Sequence, residues 1–268
     1  MGRLPAIASL LCDQIPIDWS KVAVLPHEGT FSIMYGSQTI PVGAAYRPGY
    51  ISRPDEAGRF PVVVLVPGLE GLGSAEKALC RKLARNGLAV VAVEIFPAND
   101  PGEALGAYQE TSDRQVLLTL QETVEYVQSD DIFWALSEKV GLLGFDVGGR
   151  PAIVAAARHP WVGSIAVVST PLTGDEGREH QVADFLGSLP VAVLGLYGQD
   201  DPLIANETVD EAQARNEHGS WLLYEGAAHS FWNDETEDFN PSAAADLETR
   251  LLDFFRATLP TAIIEDLG

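Results

Sequence analysis

Residues 144–149, Gly-Phe-Asp-Val-Gly-Gly, decide the fold of this chain. The apolar run at 139–143 predicts a buried strand before them, and the run that starts at Pro151, Pro-Ala-Ile-Val-Ala-Ala-Ala, predicts a helix after them. A strand, a sharp turn and a helix in this order form a nucleophile elbow, which exposes one reactive side chain at the edge of a sheet. The glycines two positions before and after the centre let strand and helix approach closely. The central residue must take a positive φ, which Asp146 tolerates better than most residues.

The side chain at the tip of this turn is the carboxylate of Asp146, where enzymes with the motif normally carry serine or cysteine. A carboxylate with a pKa near 4 is ionised at pH 7 and needs no base to activate it. Its attack on an ester carbonyl should revert, because a carboxylate is a better leaving group than an alkoxide by about ten pK units. Attack on a saturated carbon bearing a halide or an epoxide oxygen has no such obstacle. It would give an alkyl ester of Asp146, which a water activated by histidine can hydrolyse.

The composition fits a globular protein and excludes two classes of partner. The chain has 268 residues, of which 46% are hydrophobic, so we expect one domain that spans 1–268. It carries 38 acidic residues against 17 Lys and Arg, a net charge of −21. Nucleic acids and anionic membrane surfaces attract positive charge, so both are excluded as partners. A well-solvated acidic surface is the simplest interpretation, and adaptation to high salt is the alternative.

The cysteines and the N-terminus carry little functional information. Cys12 and Cys80 are too few for a disulfide framework and lack the spacing of metal ligands, and Cys80 fits the packed face of a helix. The apolar stretch within residues 1–12 resembles a truncated secretion signal, but it is short and lacks small residues for cleavage. No run reaches transmembrane length, so we expect a cytoplasmic protein.

Strand and helix patterns alternate along most of the chain. Residues 20–50 predict two or three antiparallel strands that end near 47–49. Near-continuous apolar runs then predict the strands of a parallel sheet covered on both faces. These runs lie at 60–66, 88–93, 140–143, 164–168, 191–196 and 221–224. Amphipathic helices are expected at 74–86 and 112–128, and a last helix is expected to begin at Asn240-Pro241.

Two connections between these elements bear on access to the elbow. The gap at 169–190 holds one short helical stretch, at 182–186, so no large cap domain is expected. The segment 97–111 begins Pro-Ala-Asn-Asp-Pro-Gly and has the length of a lid. An ordinary Pro/Gly connection is the alternative interpretation of that segment.

An acid and a histidine follow the elbow in the order that a catalytic triad needs. The loop after the 191–196 strand contains Gln-Asp-Asp-Pro, and we favour Asp201, directly before the proline, over Asp200 as the orienting acid. His229 follows the last strand across small residues that bring it to the same edge of the sheet. It is therefore the preferred histidine among five.

The loop after the first parallel strand, Val-Pro-Gly-Leu-Glu-Gly at 66–71, predicts half of an oxyanion hole. Such loops supply one backbone N–H, and the residue after the nucleophile supplies the other. Leu69 and Val147 are the candidates, each through its backbone alone. A glycine-rich turn without a catalytic role is the alternative for Leu69.

Together these pieces resemble the dienelactone hydrolase family within the α/β-hydrolase fold. The matching pieces are Pro-Gly-Leu-Glu-Gly, Gly-Phe-Asp-Val-Gly-Gly, Gly-Gln-Asp-Asp-Pro and Gly-Ala-Ala-His-Ser-Phe, and the resemblance covers about 60–258. It implies a doubly wound, mostly parallel sheet behind antiparallel N-terminal strands, with no large cap domain. It also implies a hydrolase of small esters or lactones that uses no cofactor. Homo-oligomerisation is left open.

The chain departs from the family pattern at two positions. Asp146 replaces the usual Cys or Ser nucleophile, and Asn233 stands where archetypal members place a substrate-binding arginine. Haloalkane dehalogenases and epoxide hydrolases use a nucleophilic aspartate on the same fold, with a cap and usually a Trp after that aspartate. Here Trp232 or Tyr108 is the candidate to contact the substrate instead.

Three hypotheses about function follow from these departures. The first is a hydrolase that acts through Asp146, Asp201 and His229. The second is a small-molecule binding protein on a hydrolase scaffold that has lost its nucleophile. The third is a scaffold for protein association.

Overall fold

The computed structural model describes residues 31–96, 101–173, 178, 181–216 and 218–264. Within this part of the chain there are nine β-strands and seven α-helices. The strands are β1 Ile33–Val42, β2 Ala45–Pro54, β3 Gly58–Val66, β4 Ala89–Val93, β5 Ala135–Phe145, β6 Val162–Val168, β7 Ala192–Gly198, β8 Ser220–Tyr224 and β9 Ile263–Ile264. The helices are α1 Ser74–Arg85, α2 Pro101–Glu110, α3 Asp113–Val127, α4 Gly149–Arg158, α5 Ala183–Leu186, α6 Asn206–Arg215 and α7 Pro241–Thr258.

The strands form one mixed sheet in the order β1-β2-β4-β3-β5-β6-β7-β8. The hairpin of β1 and β2 is antiparallel, and β2 joins β4 in antiparallel fashion. From β4 to β8 every neighbouring pair is parallel. The short β9 pairs with the start of β3. This topology confirms the predicted α/β fold and brings the carboxyl ends of β3, β5, β7 and β8 to one edge of the sheet.

The sheet separates two apolar layers. On one face α1 and α7 pack against it, with Leu83 and Leu251 almost fully buried. On the other face α3, α4 and α6 supply Leu120, Ile153 and Val209. The side chains of 62–66 in β3 are completely buried. Burial on both faces explains why the central strands have continuous apolar runs instead of alternating ones.

The N-terminal strands extend further than predicted. Two strands form there, and β2 continues through Arg47-Pro48-Gly49 to Pro54, so the expected end near 47–49 is wrong. The Pro48 carbonyl accepts the Glu94 N–H at 3.0 Å, which continues the pairing between β2 and the end of β4. Proline is tolerated because its missing N–H does not interrupt this contact. The first part of the predicted region, 20–30, lies outside the described residues.

The segment predicted as a lid or a simple connection contains a helix. Residues 101–110 form α2, so the expectation of a loop through 97–111 is wrong, and 97–100 lie outside the described residues. A second unpredicted helix, α6, has a single narrow buried stripe, Val209 and Ala212. In the 169–190 gap, the described residues contain the short helix α5 alone, as expected.

Cys80 is buried in α1, which confirms its role in packing, whereas Cys12 and the apolar N-terminal stretch lie outside the described residues. No described helix combines the length and the apolar composition that a membrane span requires. Among the described residues, no three His, Cys, Asp or Glu side chains form a group that could hold a metal ion.

Candidate active site

Asp146 lies at the tip of a tight turn between β5 and α4. Its φ of 46° is in the left-handed region, as the motif predicts. A Cβ atom built on Gly144 would lie 2.2 Å from the Cα of Gly149, and one built on Gly148 would lie 2.4 Å from the Pro67 carbonyl oxygen. Both neighbours are backbone atoms, so the turn requires glycine at these two positions.

Replacing Gly144 with alanine is therefore expected to destabilise the protein by about 3 kcal/mol or more, because the backbone around the elbow must move apart. Gly106 in α2 is the matched control, since a Cβ there meets no atom within 4 Å. Gly106→Ala should stabilise the protein by about 0.5–1 kcal/mol, the usual gain for alanine in a helix. Denaturant unfolding measures both, and equal free energies of unfolding for the two variants would contradict the close approach.

Three candidate catalytic side chains meet at the carboxyl edge of the sheet. Asp146 follows β5, Asp201 follows β7 and His229 follows β8. The His229 Nδ1 atom lies 2.8 Å from Asp201 Oδ2, and its Nε2 atom lies 3.7 Å from Asp146 Oδ1. Each ring nitrogen therefore faces one carboxylate. Catalytic hydrogen bonds often tighten only in the complex with substrate, so the longer distance is compatible with a catalytic role.

Asp201, and not its neighbour Asp200, contacts the imidazole. The Asp201 side chain is fully buried, whereas Asp200 is exposed. The second oxygen of Asp201, Oδ1, accepts the Leu203 N–H at 2.8 Å, which closes a turn around Pro202. Because both carboxylate oxygens are engaged, Asp201 holds the His229 ring in one orientation.

Ser169 fixes the backbone of His229, a contact that sequence reasoning did not find. Its hydroxyl donates to the His229 carbonyl at 2.6 Å. Ser169 itself has a φ of 47°, and its N–H donates to the Leu196 carbonyl at 3.0 Å. The serine thus ties the histidine to the ends of β6 and β7. No local pattern around Ser169 marks it, because the contact joins residues 60 positions apart.

The two carboxylates control the charge of His229. Burial lowers the pKa of the imidazole, but the interactions with Asp146 and Asp201 outweigh burial and raise it from 6.5 to about 9. The ring is therefore a cation at neutral pH while both acids are ionised. Removal of the Asp146 charge lowers the pKa of the imidazole, so that a larger fraction of it is neutral and able to accept a proton at pH 7.

Leu69 presents its backbone N–H to the nucleophile candidate. Residues 68–71 form a turn in which the Gly71 N–H donates to the Gly68 carbonyl at 3.2 Å. The N–H of the second residue of such a turn takes no part in the turn's own hydrogen bond. Leu69 is the second residue of this turn, and its N–H donates instead to Asp146 Oδ2 at 3.5 Å. Val147 follows Asp146 in a 3-10 turn with its side chain buried, and the oxyanion-hole role of both residues stays a prediction.

Trp232 and Tyr108, the two aromatic residues predicted to contact the substrate, both pack against other side chains of the protein. Trp232 packs on Phe145, the residue before Asp146, with 4.3 Å between ring centroids, so it lies beside the elbow. Tyr108 contacts Phe96 and the guanidinium of Arg178, which is 3.8 Å from the ring centroid. Through these two contacts, Tyr108 attaches α2 to Phe96 and Arg178. Substrate contact by either aromatic residue stays a prediction.

Asn233 lies four positions after His229. It is 6% exposed, and its Oδ1 atom accepts the Glu235 N–H at 3.0 Å. The Asn233 carbonyl accepts the Thr236 N–H at 3.2 Å. Its side chain therefore stabilises the turn after the histidine.

The elbow and the topology agree with the comparison against known families. A sequence model of the dienelactone hydrolase family matches residues 48–259. The chain belongs to the dienelactone hydrolase family. It is a hydrolase by this membership, and the resemblance drawn from the motifs is confirmed. The match begins within β2 and ends directly after α7, so it includes every strand that contributes to the site.

Relatives of this dienelactone hydrolase family member include a protein of Escherichia coli strain K12, provisionally named a carboxymethylenebutenolidase. The two are 28% identical over 242 residues, which cover 84% of this chain and 88% of the relative. A Bradyrhizobium protein, provisionally named a 2-oxo-3-(5-oxofuran-2-ylidene)propanoate lactonase, is 26% identical over 78% of this chain and 89% of its own length. A Klebsiella pneumoniae structure, provisionally described as a dienelactone hydrolase, has a TM-score of 0.76 and 26% identity, covering 84% of this chain and 99% of that one.

Proposed function

We propose that this protein hydrolyses a small molecule at a saturated carbon, with Asp146 as the nucleophile and an alkyl ester of Asp146 as the intermediate. The observation that supports the proposal is the position of the Asp146 carboxylate. One oxygen faces the Leu69 N–H, and the other faces the His229 imidazole, which contacts Asp201. A nucleophile, a base and a group that orients the base are the parts that covalent hydrolysis requires.

In the first step an oxygen of Asp146 attacks the saturated carbon and forms the ester C–O bond. The bond from that carbon to a halide or an epoxide oxygen breaks, and the leaving atom keeps the electron pair. A halide leaves as the anion, and an epoxide oxygen takes up a proton from the solvent. The step needs no base, because a carboxylate nucleophile has no proton to lose.

In the second step water attacks the Cγ atom of Asp146, and His229 accepts the proton of that water. The bond between Cγ and the ester oxygen breaks, and the product alcohol leaves with a proton from His229. Asp146 is regenerated with one oxygen atom from the water. The esterification itself prepares this step, since it removes one of the two charges that hold the His229 pKa at about 9. The imidazole can then lose its proton and act as a base.

The ester and lactone substrates in the names of relatives do not fit this site as well. Attack of Asp146 on an acyl carbon gives a tetrahedral adduct that reverts, because the carboxylate leaves more readily than the alkoxide. The substrate in the name of the Bradyrhizobium relative is also an anion. Asn233 is committed to a turn and carries no charge to bind such an anion. We therefore expect a neutral substrate with an electrophilic saturated carbon.

Replacing His229 with glutamine is expected to trap the intermediate, because the ester forms but its hydrolysis loses the base. Wild type and variant are incubated with styrene oxide, with 1-bromobutane and with p-nitrophenyl acetate. The mass of the peptide that contains Asp146 is then measured by mass spectrometry. The His229→Gln peptide should gain the mass of the alkyl group.

In water enriched in oxygen-18, a single turnover of wild type should place the label in Asp146 and not in the product alcohol.

His218→Gln is the matched control, because His218 is an exposed histidine after α6. This control should turn over at the wild-type rate and retain no adduct. An unmodified Asp146 peptide in His229→Gln with every substrate would refute the alkyl-ester mechanism. If Asp146→Cys then hydrolysed p-nitrophenyl acetate, a binding protein on a hydrolase scaffold would be the better interpretation.

A further inference from the structure

The turn that carries Leu69 is fixed at its start by close contact between the Gly68 backbone and the side chain of Asp146. A Cβ atom on Gly68 would lie 2.8 Å from the Cβ of Asp146, so the turn begins in contact with the nucleophile candidate. Its middle lies at the surface, where the Glu70 side chain is exposed, and Gly71 follows with a φ of 75°. The direction of the Leu69 N–H therefore depends on what holds the far end of the turn.

Glu94 holds that far end. It follows β4, and its backbone is bonded to the Pro48 carbonyl of β2. Its side chain reaches back to the loop, where Oε1 accepts the Leu72 N–H at 2.9 Å. A Cβ atom built on Gly71 would lie 3.2 Å from the same oxygen, so the carboxylate lies directly against the turn. A hydrogen bond to an ionised acceptor is about twice as strong as a neutral one.

Glu76, in the first turn of α1, forms a second anchor. It is 3% exposed and accepts a hydrogen bond from the Gly73 backbone. Burial raises the pKa of its carboxyl group to about 7, and the charges of Glu70 and Glu235 add to the effect. Glu76 thus fixes the start of the helix, which leaves Glu94 as the carboxylate against the turn itself.

We propose that Glu94 is a positioning residue of the reaction, which aims the Leu69 N–H at the Asp146 oxygen that becomes an oxyanion. This inference rests on the proposed function. In the resting site that N–H is 3.5 Å from Asp146 Oδ2, a long contact. When water attacks the ester, negative charge concentrates on this oxygen, and a donor already aimed at it stabilises the charge without reorganisation. Glu94 therefore acts on hydrolysis of the ester and not on its formation.

Glu94→Ala is expected to slow hydrolysis of the ester about 10- to 100-fold, since loss of a whole oxyanion-hole donor costs about 10²–10³. The probe is whichever of styrene oxide and 1-bromobutane gives an adduct with His229→Gln. Rapid quenching and mass spectrometry give the fraction of alkylated Asp146 during turnover. That fraction should rise in Glu94→Ala while the rate of alkylation stays at the wild-type value. Glu94→Gln keeps a carbonyl oxygen for the Leu72 N–H and should restore most of the hydrolysis rate.

Glu56→Ala is the control for loss of a carboxylate, because Glu56 is exposed between β2 and β3. It should behave as wild type. If Glu94→Ala does not fold, Glu94→Met replaces it, with a chain of similar length and no strong acceptor. An adduct in His229→Gln together with wild-type hydrolysis in Glu94→Ala would overturn the role of Glu94 and leave the proposed function intact. No adduct in His229→Gln would overturn both.

Discussion

Asp146→Ala is expected to reduce turnover by at least about 10³-fold, because no other group in the triad can form the covalent intermediate. Alanine keeps the backbone of the elbow at a cost of about 1 kcal/mol for a positive φ. The loss should therefore appear in kcat and not in the folded fraction. Steady-state kinetics with the substrate that wild type consumes, together with a thermal unfolding curve, measure the two quantities separately.

The same variant changes the charge of the site. His229 loses the longer of its two contacts with carboxylates, the one to the partly exposed Asp146, and its pKa should fall from about 9 towards the ordinary value of 6.5. A titration of the imidazole by NMR follows this fall. Residual turnover within tenfold of wild type would mean that Asp146 is not the nucleophile. An unchanged His229 pKa would mean that the two side chains do not interact.

Asp201→Asn should lower kcat by roughly 10⁴-fold, the loss known when an amide replaces the acid that orients a catalytic histidine. The amide N–H faces Nδ1 and forces the proton onto Nε2, so the imidazole cannot accept a proton from water. Alkylation of Asp146 does not use the histidine as a base and should continue. The variant should therefore accumulate the ester, which mass spectrometry detects as in His229→Gln.

Asp200→Asn supplies the matched control for this variant. Asp200 is the adjacent residue, has the same side chain and is exposed, whereas the Asp201 side chain is fully buried. We expect its kcat to stay within about twofold of wild type, the range usual for a surface change away from special contacts. A large loss in Asp200→Asn with little loss in Asp201→Asn would show that the orienting acid is assigned to the wrong residue.

Sequence reasoning located the elbow and the fold because both depend on local patterns. The glycines around Asp146 and the strand and helix that flank them are neighbours in the chain, and the order of nucleophile, acid and histidine follows from the order of the strands. Pro202 was enough to favour Asp201 over Asp200, since the proline and the buried carboxylate belong to one turn. The family match then confirmed the resemblance.

What the sequence did not predict has a physical reason in each case. The start of α2 contains Pro101 and Gly102, which are typical of turns, although proline is also common at the first position of a helix. Helix α6 buries only Val209 and Ala212, too narrow a stripe to be distinguished from a loop. Ser169 and Glu94 act through contacts across the sheet edge, and no spacing along the chain predicts such contacts.

The Ser169 hydroxyl has a practical consequence for protein engineering. It fastens the histidine to the sheet in addition to two contacts from the stretch that follows, in which Asp238 accepts the Ser230 N–H at 3.2 Å and the Thr236 hydroxyl donates to the Ser230 carbonyl at 3.3 Å. A library randomised at the exposed positions 234, 235, 237 and 239 leaves these three contacts in place, so it can vary the rim near the histidine while the imidazole keeps its position. The codon for Ser169 should be left unchanged in such a library.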